Sequence, residues 1–356
     1  MINFTPGPSQ LYFTVETHLR QAFRDGVPSL SHRSKEFEAI SKSTTEGLKE
    51  LLGIPQGFHI FFVGSATEIW ERAVQNLVNE QSLHFVNGAF SKRFHEIATQ
   101  LGKSATKIEA SLGQVFDSNY KIDSTPELIA LTHNETSTGT MLSMDFINQF
   151  RTQFPESLII VDAVSSLPYP QFDFSKIDSV FFSVQKGFGL PAGLGVWIVN
   201  DRCIAKAESL QAKGISIGTY HNLPTLLVNA KKNQTPETPN VLSIYLLGKV
   251  VEDFLRRGIS VIRKETEYKA AIFYQAINAH AFAQPFVKDT KSRSQTVLVV
   301  ETGLQTESIR KQLESHGLYP GDGYGEQKKT QLRFANFPTH SKETFERLVD
   351  VFEKLI

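Results

Sequence analysis

Two apolar stretches of this chain end in side chains that can do chemistry together. Leu158-Ile-Ile-Val-Asp162 reads as a strand closed by a carboxylate, and Val180-Phe-Phe-Ser183-Val-Gln185-Lys186-Gly-Phe-Gly189 as a strand closed by an amine among glycines. A lysine at a strand end beside small residues can hold an aldehyde cofactor such as pyridoxal phosphate (PLP) as a Schiff base. The aspartate is the partner that such a cofactor's ring nitrogen needs. Ile159, Ile160 and Val161 form the near-continuous apolar run of a parallel strand covered on both faces,. Asp162 must therefore be paired or open to a cleft, because an isolated buried charge is too costly.

Other stretches can receive anions or flat rings, each with a plainer alternative. Ser31-His32-Arg33-Ser34 places an imidazole and a guanidinium side by side ahead of a helix predicted over Lys35–Leu52. The pair suits a carboxylate or phosphate, or the stretch is a solvated loop with Ser34 as N-cap. Gly64-Ser65-Ala66-Thr67-Glu68 follows a strand at His59–Val63 and opens a helix expected over Ile69–Val78. Small residues at a helix start leave backbone N–H groups for a phosphate, although the same letters make an ordinary cap. Phe90, just past Asn87-Gly88, can stack on a heterocycle or fill core. Thr136 lies in the polar loop His133–Gly139 that follows a strand, the usual place for ligands in α/β proteins,. His133 and Glu135 have no second His or Cys at ligand spacing, which makes them loop residues rather than metal ligands. Arg333 sits inside an alternating strand and either points inward, needing an anion, or lies exposed on an edge.

Strands and helices alternate from residue 58 to residue 200. The glycines of Gly187–Gly195 precede a strand and open no helix, so they are not a dinucleotide fingerprint,. Residues 215–240 read as polar loop, closed by Thr235-Pro236-Glu237-Thr238-Pro239-Asn240 ahead of a helix over Val241–Arg257. Beyond Ser260 the pattern becomes α+β, with helices over Val261–Ala279, Thr306–Ser315 and Lys342–Leu355. Strands are expected there at Phe282–Val287, Gln295–Val300 and Gln331–Phe334. Phe4-Thr5-Pro6-Gly7-Pro8 is too rich in proline for helix or central strand.

Composition narrows the class. At 356 residues the chain suggests more than one domain,. Its 37 basic and 37 acidic residues balance and are scattered, which argues against nucleic acid or an anionic membrane as partner,. A single cysteine, Cys203, excludes a disulfide framework and a cysteine-based zinc site,. No stretch approaches the roughly eighteen apolar residues of a membrane helix, and nothing at the start reads as an export signal. A cytoplasmic location is expected.

The ordered set of motifs resembles the phosphoserine aminotransferases, a branch of the class V, fold-type I PLP enzymes. It runs through Asn3-Phe-Thr-Pro-Gly-Pro8, Ser31-His32-Arg33, Gly64-Ser-Ala-Thr67, Asn134-Glu-Thr136, Asp162, Ser183-Val-Gln185-Lys186, Thr238-Pro239 and Arg333 with Asn336, and so spans essentially the whole chain. The resemblance implies a large domain with a mostly parallel seven-stranded sheet and a smaller α+β C-terminal domain. The expected divisions are an arm over 1–15, a PLP-binding domain over 16–245 and a small domain over 246–356.

The resemblance also implies roles. Lys186 would carry PLP and Asp162 would pair with its ring nitrogen, Phe90 would stack on the ring where many members have Trp, and Thr136 would meet the cofactor's oxygen side. Ala66, Thr67 and Gln185 would hold the cofactor phosphate, with Glu237 and Thr238 reaching the neighbouring subunit's cofactor in a homodimer. His32 and Arg33 would receive the substrate's anionic groups and Arg333 its α-carboxylate. The implied reaction passes an amino group from glutamate to a phosphorylated 2-oxo acid, 3-phosphohydroxypyruvate. Serine– or alanine–glyoxylate aminotransferases and a non-catalytic PLP-fold binding protein are the alternatives. Two positions depart from the family's pattern: Thr67, where some members have Arg, and Glu237, often Asn, whose carboxylate would repel a phosphate.

Overall fold

Leu128–Thr132, Leu158–Asp162 and Ser179–Ser183 are buried at every residue, as strands must be when helices cover both sides of a sheet,. The computed structural model describes all residues except 117–119, 123, 355 and 356. Its strands, in chain order, are β1 (Ile2–Phe4), β2 (Phe58–Val63), β3 (Gln81–Val86), β4 (Ser104–Glu109), β5 (Leu128–Thr132), a hairpin of β6 (Asn134–Glu135) and β7 (Thr140–Met141), β8 (Leu158–Asp162), β9 (Ser179–Ser183) and β10 (Gly195–Asn200). After them come β11 (Gln284–Pro285), β12 (Val297–Glu301), β13 (Leu318–Asp322) and β14 (Gln331–Ala335).

The large sheet has seven strands in the order β2-β10-β9-β8-β5-β3-β4. Only β10 runs against its neighbours. Thr132, Asp162 and Phe181 are register partners across β5, β8 and β9, so the loops leaving these strands emerge side by side at their carboxyl ends. In parallel sheets that edge is where ligands bind.

A second sheet, β1-β13-β14-β12-β11, carries the C-terminal part. β1 pairs in parallel with β13, Ile2 opposite Leu318, at the edge where a strand ending just before prolines is tolerated,. The arm then crosses to the large sheet, where Ser9 N donates to Gln185 O at 3.1 Å and Tyr12 N to Gly189 O at 2.8 Å.

Three expectations change. Residues 215–240 contain the helix Leu223–Ala230, started by Asn222, whose side chain accepts from Thr225 N at 3.0 Å, and by Pro224 in the first turn,. The strand expected over Phe282–Val287 shrinks to Gln284–Pro285, since Pro285 has no N–H for a longer ladder,. β13 was hidden by Pro320 and Gly321 within it,. The helix Val241–Arg257 packs through Phe254 into the core shared with the large sheet, while Phe4 joins the core of the second sheet. We propose that the small domain begins after this helix, near Gly258, rather than at residue 246.

Candidate active site

The ends of β8 and β9 bring the two candidate side chains, both buried, to one edge of the large sheet. Asp162 is 3 % exposed; its Oδ2 accepts from Trp70 Nε1 and its Oδ1 from Val164 N, both at 2.9 Å. Burial pushes its pKa up to about 6, against the pull of these two donors and of the Lys186 charge,. Lys186 is 7 % exposed, with Nζ 3.2 Å from Thr136 Oγ1 and 5.3 Å from the centre of the Phe90 ring. Burial lowers its pKa to about 8; Asp162 opposes the shift and the Arg333 charge adds to it,. Both groups lean towards neutrality, so a buried cationic group beside Asp162 would bring that carboxyl back to its charged form.

Gly7, at φ 146°, lies against the lysine: a Cβ there would sit 2.8 Å from Lys186 Cε. A misplacement of about 1 Å at a reacting group costs up to ~100-fold in rate. Gly7→Ala is expected to lower kcat about 10- to 100-fold by shifting the amine, with a change in KM of less than about threefold, read by steady-state kinetics.

Phe90 is held from behind. The helix Ala89–Gln100 begins directly after Gly88, where Glu135, fully buried, serves as its N-terminal acceptor. Its carboxylate takes Phe90 N at 3.3 Å, Ser91 N at 2.9 Å, Ser91 Oγ at 2.8 Å and Ser137 Oγ at 2.6 Å. A Cβ on Gly88 would lie 2.3 Å from Glu135 Cγ, so glycine there is required by this approach. Glu135 is thus a buried cap and no solvated loop residue, a role favoured by the helix dipole. The sequence motif Asn134-Glu-Thr136 marked the stretch, but nothing in it told which helix the carboxylate would meet. Trp70 was missed altogether; its place one turn after Ala66 on the buried helix face is its only signal,.

Arg333 lies on β14, between β12 and β13, and points inward rather than lying on an edge. Nε donates to Asp322 O at 2.6 Å and Nη1 to Thr136 O at 3.0 Å, and the guanidinium lies over the Tyr324 ring. Lys328 pairs with Asp322 at 3.4 Å and is largely exposed. Cys203 is wholly buried near Asp178 O, and burial pushes its thiol pKa up, as suits a structural thiol,.

The helix Ala66–Leu77 starts beside the end of β9. Ala66 N donates to Ser183 Oγ at 2.9 Å, Glu68 N to Ser65 Oγ at 3.1 Å, and Gly64 N to Glu68 Oε2 at 2.8 Å. Thr67 is exposed at this helix head. Gln185 Oε1 is buried without a protein partner among the described residues.

His32, Arg33, Glu237 and Thr238 form a second group. His32 Nδ1 and Thr238 Oγ1 are 3.2 Å apart, and Arg33 Nη1 donates to Gln234 Oε1 at 2.7 Å and to Asn229 Oδ1 at 3.3 Å. Burial and the Arg33 charge lower the His32 pKa. Glu237 turns to an unforeseen residue, His221: Oε2 and Nε2 lie 3.0 Å apart as an ion pair not aligned as a hydrogen bond. Nδ1 of the same ring meets Glu68 Oε1 at 2.5 Å. Burial works against a charged ring here, but the two carboxylates raise its pKa to about 9 from 6.5. With the folded value raised, the stability this ion pair gives is fully present below about pH 6.5 and is lost as pH rises through about 9,. The Tm difference between wild type and His221→Asn is expected to shrink over that window in a pH series.

A profile described as aminotransferase class-V matches residues 1–321. The crystal structure of a phosphoserine aminotransferase from Cytophaga hutchinsonii is 51 % identical, with a TM-score of 0.98 covering 100 % of this chain and 99 % of that one. A phosphoserine aminotransferase of Rhodococcus opacus is 28 % identical over 347 residues, 96 % of this chain and 90 % of the relative. An alanine–glyoxylate aminotransferase from Nostoc shares the fold at 19 % identity and TM-score 0.79, covering 100 % of this chain and 95 % of that one. Fold and site define a fold-type I aminotransferase. The chain belongs to the class-V aminotransferase family.

Proposed function

We propose that the protein is a PLP-dependent phosphoserine transaminase. It moves the amino group of L-glutamate to 3-phosphohydroxypyruvate, giving 2-oxoglutarate and O-phospho-L-serine, in cytoplasmic serine biosynthesis. The observation that carries the reading is the buried Lys186–Asp162 pair at adjoining strand ends, in a chain 51 % identical over its whole length to a phosphoserine aminotransferase.

The residues fit PLP. A cationic ring nitrogen answers the need of buried Asp162 for a positive partner,. On this reading the helix head at Ala66 and Thr67 and the side-chain NH2 of Gln185 would donate to the phosphate group,. Phe90 offers a ring face beside Lys186. When bound, PLP supplies an aldehyde carbon that takes up amino groups and a ring that accepts the electron pair left at Cα.

The chain's own groups do the rest. Asp162 keeps a proton on the ring nitrogen, and Trp70 and Val164 fix the direction of its carboxylate. Lys186 Nζ, neutral in a useful fraction near pH 8, takes the proton from the substrate's Cα and returns it one position away,. Thr136 Oγ1 fixes where that amine rests. Arg333, anchored on two backbone carbonyls, presents its guanidinium to the substrate's α-carboxylate,.

His32 and Arg33 receive the substrate phosphate. On this reading the loops carrying His32–Arg33 and Glu237–Thr238 complete the neighbouring site in a homodimer, while Glu237 is joined to the helix head of its own chain through His221 and Glu68. Arg33, whose side-chain partners are neutral amides, keeps its charge for an incoming anion. Arg33→Ala is expected to weaken phosphohydroxypyruvate by roughly 2 kcal/mol or more while hydroxypyruvate changes little. Equal losses on both acceptors, by steady-state kinetics, would assign Arg33 to the carboxylate instead.

A further inference from the structure

Two carboxylates stand where this reading needs a phosphate. Glu68 lies at the head of the helix Ala66–Leu77, its Oε2 on Gly64 N at 2.8 Å, and Glu237 lies on the loop that bears Thr238. Left alone, Glu68 would oppose a phosphate at its own helix head, and Glu237 one in the neighbouring site that the Thr238 loop completes on this reading. Both instead face one imidazole, with Glu68 Oε1 2.5 Å from His221 Nδ1 and Glu237 Oε2 3.0 Å from Nε2. We infer that His221 is a positioning residue for cofactor binding: bridging Glu68 and Glu237, it ties the helix head that holds one subunit's cofactor phosphate to the Thr238 loop that serves the neighbour's, and cancels the charge each carboxylate turns towards a phosphate.

The surroundings are built for that task. His221 is 2 % exposed and sits at φ 49°, a left-handed conformation that histidine, like asparagine and aspartate, adopts more readily than most residues,. The Tyr220 ring stacks on the imidazole at 3.8 Å between centroids, and Arg72 Nη1 holds Tyr220 O at 3.1 Å. The groups that set the ring's charge are Glu68 and Glu237; Arg72 acts on Glu68, and the stacked Tyr220 feels the same two carboxylates. Burial alone would raise the Glu68 pKa, yet its pairing with His221 holds it below the usual carboxylate range, as expected of a cationic ring between two anions,. The arrangement also removes the objection to Glu237 on a phosphate-facing loop, since its carboxylate is turned to the ring.

The inference rests on the PLP reading, and the test separates the two. Cofactor-free protein is titrated with PLP and with pyridoxal, which lacks the phosphate, by fluorescence or calorimetry, for wild type, His221→Asn, Glu237→Gln and the double variant. His221→Asn is expected to raise the Kd for PLP about tenfold or more while pyridoxal changes less than about twofold, and Glu237→Gln in that background to recover most of the loss. Proportional loss for both ligands, no loss for PLP, or no recovery in the double variant overturns the inference. Should His221→Asn fail to fold, Glu237→Gln alone decides: PLP binding at least as tight as wild type supports charge screening, and selectively weaker PLP binding sinks it. Wild type that takes up no PLP contradicts the functional reading instead.

Discussion

Lys186→Ala is expected to lower transaminase turnover by at least ~10⁴-fold, because on the proposed reading one amine both holds the cofactor and carries the proton at Cα. Around Nζ stand Thr136 Oγ1 and the Phe90 ring, neither a base at neutral pH, so no neighbour takes over the proton transfer,. The purified variant should also lose the visible absorption band of the PLP-loaded protein. Fold integrity is checked by Tm, which should hold or rise, since a buried amine whose charge burial disfavours is removed,. Retention of more than about a hundredth of wild-type kcat would mean that another group moves the proton.

Asp162→Asn is the second large effect. An amide cannot hold a proton on a cationic ring nitrogen, and loss of a preorganised charge partner typically costs ~10²- to 10³-fold in kcat. The same change should help the cofactor-free fold. Burial raises the Asp162 pKa from 3.8 to about 6, so the folded state binds its proton more tightly than the unfolded chain does,. Wild-type stability is therefore eroded as pH rises from about 4 through about 6,. Asn cannot ionise, and the Tm of Asp162→Asn relative to wild type should increase across that window and then level off. Lower activity with higher cofactor-free stability separates a catalytic charge from a structural one.

The two reactive groups were legible in the sequence because their signals are local. A strand of Ile and Val ending in Asp, and another ending in Lys-Gly, place both side chains at one sheet edge once the strands lie side by side,. The helix Val241–Arg257 was equally plain, with Asn240 capping its start and Gly258 closing its end,. What the sequence withheld is what distant segments supply. Trp70 meets Asp162 across 92 residues and Glu135 caps a helix 44 residues earlier. His221 joins Glu68 across 153 residues from within a stretch that read as featureless polar loop. Pro320 and Gly321 disguised β13, because strand propensity is overridden when the neighbours fix the pairing,. Arg333 was ambiguous for the same reason: whether β14 lies centrally or on an edge is a matter of sheet order, which period-two patterning does not encode,.

The choice of acceptor decides the assignment, and fold alone does not make it, since an alanine–glyoxylate aminotransferase shares the fold,. The direct measurement is kcat/KM for the glutamate-loaded enzyme with 3-phosphohydroxypyruvate, hydroxypyruvate, pyruvate and glyoxylate under one set of conditions. Phosphohydroxypyruvate should be preferred by about a hundredfold or more, the discrimination that a charged partner for the phosphate provides. Glyoxylate or pyruvate accepted as well as the phosphorylated acid would contradict the assignment and leave a class-V aminotransferase of different specificity.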